Sequence, residues 1–138
     1  MEAHSREVSS RHSQLPEPFR NGAGVIQNLV DKGPFEGVAI IESRAGSVRS
    51  NHYHRTDWHY LYLVSGQMLY WERDVGATEL PEPLVVRAGQ MVFTPPLREH
   101  ACKFLADTTM VSISRLGRDH EAHEADLVRL ETPMVVEG

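Results

Sequence analysis

The chain has 138 residues, of which 41% are hydrophobic, and a formal net charge of −5 at pH 7 with neutral histidines. This length fits a single compact domain. The acidic balance, without a dense cluster of Lys and Arg, argues against nucleic acid and against an anionic membrane surface as partners. A small molecule is therefore the expected ligand.

The first 18 residues are polar, Ser-rich and without a hydrophobic period, so residues 1–18 are predicted to be a flexible N-terminal arm with solvated histidines. Residues 19–138 are predicted to form one domain. No apolar run approaches 18 residues and no charged-then-apolar leader is visible, so neither a transmembrane helix nor a secretory signal is expected. Cys102 is the single cysteine, which fits a reducing compartment and a cytoplasmic protein.

Beyond this arm, short apolar runs alternate with turn signals rich in glycine and proline. The runs predicted as strands are residues 25–29, 38–41, 47–54, 58–64, 67–71, 84–86, 91–93, 100–105 and 110–113. No long helical period interrupts them. The sequence therefore predicts an all-β fold, either an antiparallel barrel or a sandwich.

The middle of the chain carries four histidines that fall on predicted strands: His52, His54, His59 and His100. His52 and His54 are two positions apart on a strand, so their side chains point to the same face. The polar segment 55–57 predicts a hairpin turn that returns His59 toward this pair. His100 completes the set if the sheet closes into a barrel. Neutral imidazole suits transition metals better than calcium or magnesium, so we expect a divalent Fe, Mn, Ni or Zn ion.

Two motifs contain these histidines. G-x5-H-x-H-x4-H-x6-G runs from Gly46 to Gly66, and G-x5-P-x4-H runs from Gly89 to His100. They resemble the motifs of the cupin superfamily, G-x5-H-x-H-x3,4-E-x6-G and G-x5-P-x-G-x2-H-x3-N. The resemblance spans residues 46–104 and implies a cupin-type antiparallel β-barrel of the jelly-roll form.

Three residues depart from the cupin pattern: His59 replaces the usual Glu, Leu97 replaces Gly and Phe104 replaces Asn. With His59 as a ligand, a four-His site keeps the full +2 charge of a divalent ion and favours an anionic ligand, an enolate or hydroxide. His59 has an alternative role as a neighbour of the ligands or as a proton shuttle. A metal-free barrel with four hydrogen-bonded histidines is the alternative for the whole set.

Other polar side chains are predicted to surround the site. The candidate catalytic groups are Tyr70 and Glu99, and the candidate substrate-binding residues are Arg49, Arg98, Tyr70 and Cys102. Arg98 has the fork geometry to bind a carboxylate or phosphate, and Glu99 has the chemistry for proton transfer. The alternatives are structural: Tyr70 filling the barrel, Cys102 as a small buried hydrophobe, and the loop charges solvated. If His59 faces inward, so do Leu61 and Leu63.

The tail from residue 118 to 131 is acidic and contains His120 and His123. Its composition favours a solvated turn or short helix over a second metal site. Residues 127–130 and 134–136 are predicted as edge strands. Because terminal strands of cupins often pair with a second subunit, the resemblance implies a homodimer, and pairing would protect a long exposed edge.

Two classes of function remain. One is an enzyme whose His-ligated metal activates a small oxygenated substrate or dioxygen, and the other is a barrel that binds or senses a ligand without turnover. Cupins include dioxygenases, isomerases, epimerases, decarboxylases and binding domains, so the resemblance alone names no reaction. Residues 49–54 are similar to the R-G-x-H-x-H run of cupins that act on nucleotide-linked sugars, with Ser50 in place of Gly. A sugar-nucleotide isomerase or epimerase of polysaccharide synthesis is therefore the alternative to the metal-dependent enzyme.

Overall fold

The computed structural model of the protein describes residues 12–117 and 120–137. The strands in these ranges are β1 (Phe19–Asn21), β2 (Gly24–Ile26), β3 (Gly37–Ser43), β4 (Val48–His54), β5 (His59–Ser65), β6 (Gln67–Asp74), β7 (Leu84–Arg87), β8 (Met91–Thr94), β9 (Arg98–Phe104), β10 (Thr108–Ser114) and β11 (Leu127–Arg129). One short helix, α1 (His120–Asp126), precedes β11. The all-β prediction is confirmed.

The strands form two main antiparallel sheets and one small hairpin. A four-stranded sheet has the order β3-β10-β5-β8, and a five-stranded sheet has the order β11-β4-β9-β6-β7. Strands β1 and β2 pair only with each other. Neighbours in each sheet are often distant in sequence, so the chain crosses repeatedly from one sheet to the other. The result is the jelly-roll barrel that the two histidine motifs implied.

The main hydrophobic core lies between the two sheets. It contains Leu61 and Leu63 from one sheet and Met68, Tyr70 and Phe104 from the other, all at most 5% exposed. On β5 the intervening Tyr60 belongs to a second cluster, on the outer face of its sheet. The strand alternation predicted for β5 is therefore confirmed, with Leu61 and Leu63 on the inner face.

The predicted hairpin between the histidine-bearing strands is wrong. Strand β4 pairs with β9 and β11, whereas β5 pairs with β10 and β8, so β4 and β5 belong to different sheets. The segment between them crosses the end of the barrel. Side-chain carboxylates bind its backbone amides in place of a strand ladder: Asp126 accepts bonds from Thr56 and Asp57, and Asp57 accepts one from Trp58.

The turn between β5 and β6 needs a glycine. Gly66 has φ = 92°, and a Cβ there would come within 2.6 Å of the backbone of Thr108. Both the left-handed backbone and the close contact exclude a larger residue. This turn brings β6 back into the opposite sheet, directly beside β9.

The two ends of the described chain pack against the barrel. Residues 1–11 of the predicted arm lie outside the described ranges. Within the arm, Ser13 is 8% exposed and donates its backbone amide to Met91, and Leu15 packs on the outer cluster. At the other end, β11 agrees with the predicted edge strand at 127–130, but residues 134–136 form no strand. Val135 is instead buried against Trp71.

Among the residues that the structure describes, no helix has both the length and the apolar character needed to cross a membrane.

Candidate metal and ligand site

A cavity of about 170 Å³ opens between the two sheets at one end of the barrel. Its wall combines apolar side chains with a dense set of polar ones: Ile41, Arg49, Ser50, His52, His54, Asp57, His59, Leu61, Cys102, Met110 and His123. Such a mixture of apolar wall and converging polar groups is typical of a small-molecule site.

Three of the predicted ligands converge closely. His52 lies directly opposite His100 in the β4–β9 register, and His54 lies two residues further along the same strand. One ring nitrogen from each of His52, His54 and His100 can be chosen so that all three lie within 4.8 Å of one another. The structure therefore brings these three histidine side chains together.

The fourth histidine lies beside this trio. The ring centre of His59 is 5.7 Å from that of His54 and 5.3 Å from that of His100, across the barrel from β4. Imidazoles bound to one ion at about 2.0–2.1 Å have ring centres roughly 4.5–5.5 Å apart. The ring separations within the trio, from 4.7 to 5.8 Å, and the two distances of His59 are close to that spacing.

Burial keeps the imidazoles of His52 and His100 neutral. Together with the neighbouring histidines it lowers the pKa of His52 to about 2 and that of His100 to about 3. Burial also lowers the pKa of His54, although the nearby carboxylates of Asp57 and Asp126 oppose this shift. A neutral imidazole has a ring-nitrogen lone pair, which is what a metal ion or a substrate proton requires.

Two of the buried histidines have a polar group close to Nδ1. His100, which is 0% exposed, donates from Nδ1 to the backbone carbonyl of Arg98 at 3.1 Å, and its Nε2 has no hydrogen-bond partner among the described residues. Nδ1 of His54 lies 3.4 Å from a carboxylate oxygen of Asp126 without a hydrogen bond to it. Metal-binding histidines characteristically donate one ring nitrogen to a carbonyl or carboxylate, as His100 does. The residues present therefore fit a divalent transition metal.

The two carboxylates beside His54 are held firmly. Asp126 accepts bonds from the backbone and hydroxyl of Thr56 and from the amide of Asp57. Asp57 accepts bonds from the amides of Trp58 and Leu116. Burial raises the pKa of Asp57. For Asp126 the hydrogen bonds and the nearby His54 outweigh burial and lower the pKa.

Two residues that stand where the motifs have glycine adopt the positive φ angles that glycine favours. Ser50 has φ = 77° and Leu97 has φ = 61°, both in the left-handed region. Leu97 also donates its amide to the carbonyl of His54 at 2.8 Å. The chain therefore keeps the loop geometry around the histidines although both glycines are absent, at a cost of about 1–2 kcal/mol for each position.

Arg49 and Cys102 line the cavity, as predicted for substrate-binding residues. Arg49 donates to the hydroxyl of Ser43 at 2.7 Å and to the carbonyl of Glu42 at 2.9 Å. Burial raises the pKa of Cys102 to about 12, so its thiol stays protonated.

The structure places the other three predicted site residues away from the cavity wall. Tyr70 is buried and donates to Glu72 at 2.6 Å, and Arg98 donates to the second oxygen of the same carboxylate at 2.7 Å. Glu99 points to the opposite face of β9, where it accepts a bond from Arg73 at 2.7 Å. Their partners within the protein give Tyr70, Arg98 and Glu99 structural roles in this arrangement.

Sequence reasoning missed His123, Asp57 and Asp126 as site residues. His123 lines the cavity, and its ring centre is 5.7 Å from that of His54. His123 and Asp126 are three positions apart on α1 and so lie on one helix face. These residues precede the edge strand that the sequence predicted. That strand pairs with the histidine strand β4 and so brings His123 and Asp126 to the site, but the pairing cannot be read from the sequence.

No protein-family model matches the chain, and no curated protein sequence matches it. Solved structures do. The dTDP-4-dehydrorhamnose 3,5-epimerase from Sulfolobus tokodaii has a TM-score of 0.65 at 16% identity, over 93% of this chain and 85% of the epimerase. QdtA, a sugar 3,4-ketoisomerase from Thermoanaerobacterium thermosaccharolyticum in complex with TDP, has a TM-score of 0.64 at 13% identity, over 83% and 84% of the two chains.

A third neighbour is the capsular polysaccharide assembling protein CapF from Staphylococcus aureus, with a TM-score of 0.58 at 25% identity. The match covers 86% of this chain but only 35% of CapF. The chain therefore has the β-barrel fold of these three structures.

Proposed function

We propose that this protein is an enzyme that isomerises or epimerises a nucleotide-linked keto sugar. The observation that carries the proposal is the cluster of neutral imidazoles around one small cavity, which suits proton transfer at a carbon next to a carbonyl group. The similarity to an epimerase, a ketoisomerase and a capsular polysaccharide protein supports the sugar-nucleotide class. It favours this function over the dioxygen chemistry that the sequence placed first.

The cavity is large enough for only one part of a sugar nucleotide. Its volume of about 170 Å³ is near the roughly 150 Å³ that accepts one benzene ring. One sugar ring fits such a space, while a nucleotide must lie outside it. Arg49, on the cavity wall, offers a guanidinium group to the diphosphate that joins the two parts.

In this proposal the chain binds the keto sugar with its carbonyl group toward His52, His54 and His100. His59 accepts the proton from the neighbouring carbon, since its ring lines the same cavity beside His54 and His100. His123 lines the cavity from the C-terminal helix and can return a proton. The apolar side chains of Leu61 and Met110 exclude water from the reacting carbon.

We further propose that His52, His54 and His100 hold a divalent transition metal (Fe, Mn, Ni or Zn), with His59 as the fourth imidazole beside them. The unpartnered Nε2 of buried His100 supports this assignment. When bound, such an ion polarises a carbonyl oxygen as a Lewis acid and stabilises the charge of an enolate.

The test is proton exchange in D₂O, followed by NMR, with TDP-linked 4-keto sugars as substrates. The wild-type protein is expected to introduce deuterium at a carbon next to the carbonyl, and His59→Gln is expected to slow this by about 10²–10⁴-fold. Tyr53→Phe is the control, because it alters an aromatic side chain of the histidine strand that does not line the cavity. Binding without exchange would show a ligand-binding protein instead, and absence of binding would refute the sugar-nucleotide assignment.

We also propose that the protein is a homodimer formed through β3. This strand is the edge of its sheet in the described chain, and its outward residues Val38 and Ile40 are 67% and 74% exposed. The β1–β2 hairpin adds exposed apolar side chains at Phe19, Val25 and Ile26. A second copy of the chain would cover a long apolar edge that is otherwise open to uncontrolled pairing.

A further inference from the structure

Two cavity residues of β4 have the wrong spacing for a regular strand. Arg49 and His52 are three positions apart, so simple alternation would point them to opposite faces. Both nevertheless line the cavity. The β4–β9 register shows why: Arg49 lies opposite Cys102 and His52 lies opposite His100, and the register shifts between Ser50 and His52. Asn51 is the extra residue of a β-bulge.

The bulge has an unusual backbone. Ser50 and Asn51 both adopt left-handed conformations, with φ of 77° and 59°. Asn tolerates this region better than most residues, whereas Ser does not have the same advantage. Consecutive left-handed residues persist only where the surroundings hold them in place.

The C-terminal segment of the chain supplies that support through Asn51. The Oδ1 atom of Asn51 accepts hydrogen bonds from the amides of Met134 at 2.8 Å and Val135 at 3.1 Å, and its Nδ2 donates to the carbonyl of Val135 at 2.9 Å. Its backbone carbonyl accepts a fourth bond from Leu130 at 3.0 Å. Val135 is itself anchored in a small core with Trp71 and Ala101.

We propose that Asn51 is a positioning residue: by tying the β4 bulge to Met134 and Val135, it places Arg49 and His52 on one wall of the cavity. The C-terminal segment therefore assembles the ligand site from a distance of more than 80 residues in sequence. The inference rests on the proposed function only in treating this cavity as the ligand site.

Cys102 is a direct reporter of this arrangement. It is the only cysteine of the chain, it is 1% exposed, and it lies opposite Arg49 on the cavity wall. The side chain of Ser50 forms a hydrogen bond with it. If the bulge moves, Ser50 and Arg49 leave Cys102 and the thiol becomes accessible. Its rate of reaction with a chromogenic disulfide reagent can be measured without a metal or a substrate.

The experiment compares Asn51→Gly, Asn51→Asp and a control at temperatures where every variant is folded. Asn51→Gly accepts the left-handed backbone and removes only the side-chain hydrogen bonds. It is expected to accelerate modification of Cys102 by at least about tenfold through local opening. Asn51→Asp keeps the acceptor for both amides but replaces the Nδ2 donor by an oxygen that faces the carbonyl of Val135. Its rate is expected to lie between those of the wild type and Asn51→Gly.

The control is Met91→Ala, in a buried residue of β8 that belongs to the outer cluster and not to the core that contains Cys102. At matched stability it is expected to leave the Cys102 rate unchanged. A wild-type rate in Asn51→Gly, or equal acceleration in Met91→Ala, would overturn the inference. If the thiol rates are as expected but the wild-type protein binds no nucleotide sugar, only the proposed function is refuted.

Discussion

His100 is a buried histidine with one ring nitrogen that has no hydrogen-bond partner among the described residues. It has no exposed surface, its Nδ1 donates to a backbone carbonyl, and its Nε2 has no hydrogen-bond partner in the part of the chain that the structure describes. A buried polar atom without a partner costs about 1–3 kcal/mol. The protein tolerates this cost at the place where a metal ion or a substrate atom would offset it.

Replacing His100 tests the metal assignment. His100→Ala is expected to lower the affinity for Zn²⁺ or Co²⁺ by more than about 100-fold, because loss of a ligand exceeds the 10–100-fold effect of losing an outer partner. Isothermal calorimetry and metal analysis of the purified protein measure the effect. Tyr53→Phe, between two proposed ligands but outside the cavity wall, should bind metal as the wild type does. Stoichiometric metal with unchanged affinity in His100→Ala would contradict the assignment.

The sequence predicted which histidines come together at the site, but not which groups the other candidate side chains bind. The histidine spacing predicted that His52, His54 and His100 meet, and they do. Tyr70 was a candidate on chemical grounds, yet its hydroxyl is bound to Glu72 and Thr94 inside the core. The partner of a hydroxyl depends on which strands become neighbours, and the local sequence does not contain that information.

At the scale of elements, α1 contributes His123 to one wall of the site, and β11 holds this helix beside the histidine strand. Strand β11 pairs with the histidine strand β4, with Leu127 opposite His54 and Arg129 opposite His52. The helix before it carries His123 to the cavity and Asp126 to the crossing between β4 and β5. The sequence predicted a short helix and an edge strand here, but not that they reach the histidines.

Asp126 is expected to contribute both to the stability of the fold and to the metal affinity of the site. Asp126→Ala leaves the buried amide of Asp57 and the partly buried amide of Thr56 without their acceptor, which should lower the free energy of unfolding by about 1–3 kcal/mol. It also removes the carboxylate beside Nδ1 of His54, so metal affinity should fall about 10–100-fold. Urea denaturation and metal titration measure the two effects.

The matched control is Glu124→Ala on the same helix. Glu124 forms a solvent-exposed ion pair with Arg129, and such pairs contribute less than about 1 kcal/mol. If both variants lose the same stability and keep wild-type metal affinity, the connection between Asp126 and the histidine site is wrong.

At the scale of the whole molecule, the four-stranded sheet has an incompletely covered outer face. Leu15, Leu29 and Phe35 pack over one part of it, while Val38 and Ile40 at the β3 edge stay exposed. Burial of apolar surface contributes about 25 cal/mol per Å². Covering this edge with a second subunit would therefore contribute favourable free energy to dimer formation.

Ile40→Lys tests the proposed dimer. A charge on the exposed face of the edge strand should prevent pairing and give a monomer in light scattering, while circular dichroism should still show the barrel. Val75→Lys, at a residue that is 43% exposed in the loop after β6, should keep the mass of the wild type. A monomeric wild-type protein would contradict the proposal.

The sequence by itself determined the strand-rich fold, the inward face of β5 and the three histidines that converge, because strand alternation and motif spacing are local properties. Only the tertiary structure decided that β4 and β5 lie in opposite sheets and that His123 and Asp126 join the site. It also revealed the bulge that places Arg49 beside His52. These features depend on pairing between strands far apart in the chain, where packing and hydrogen bonding of the whole barrel outweigh local preference.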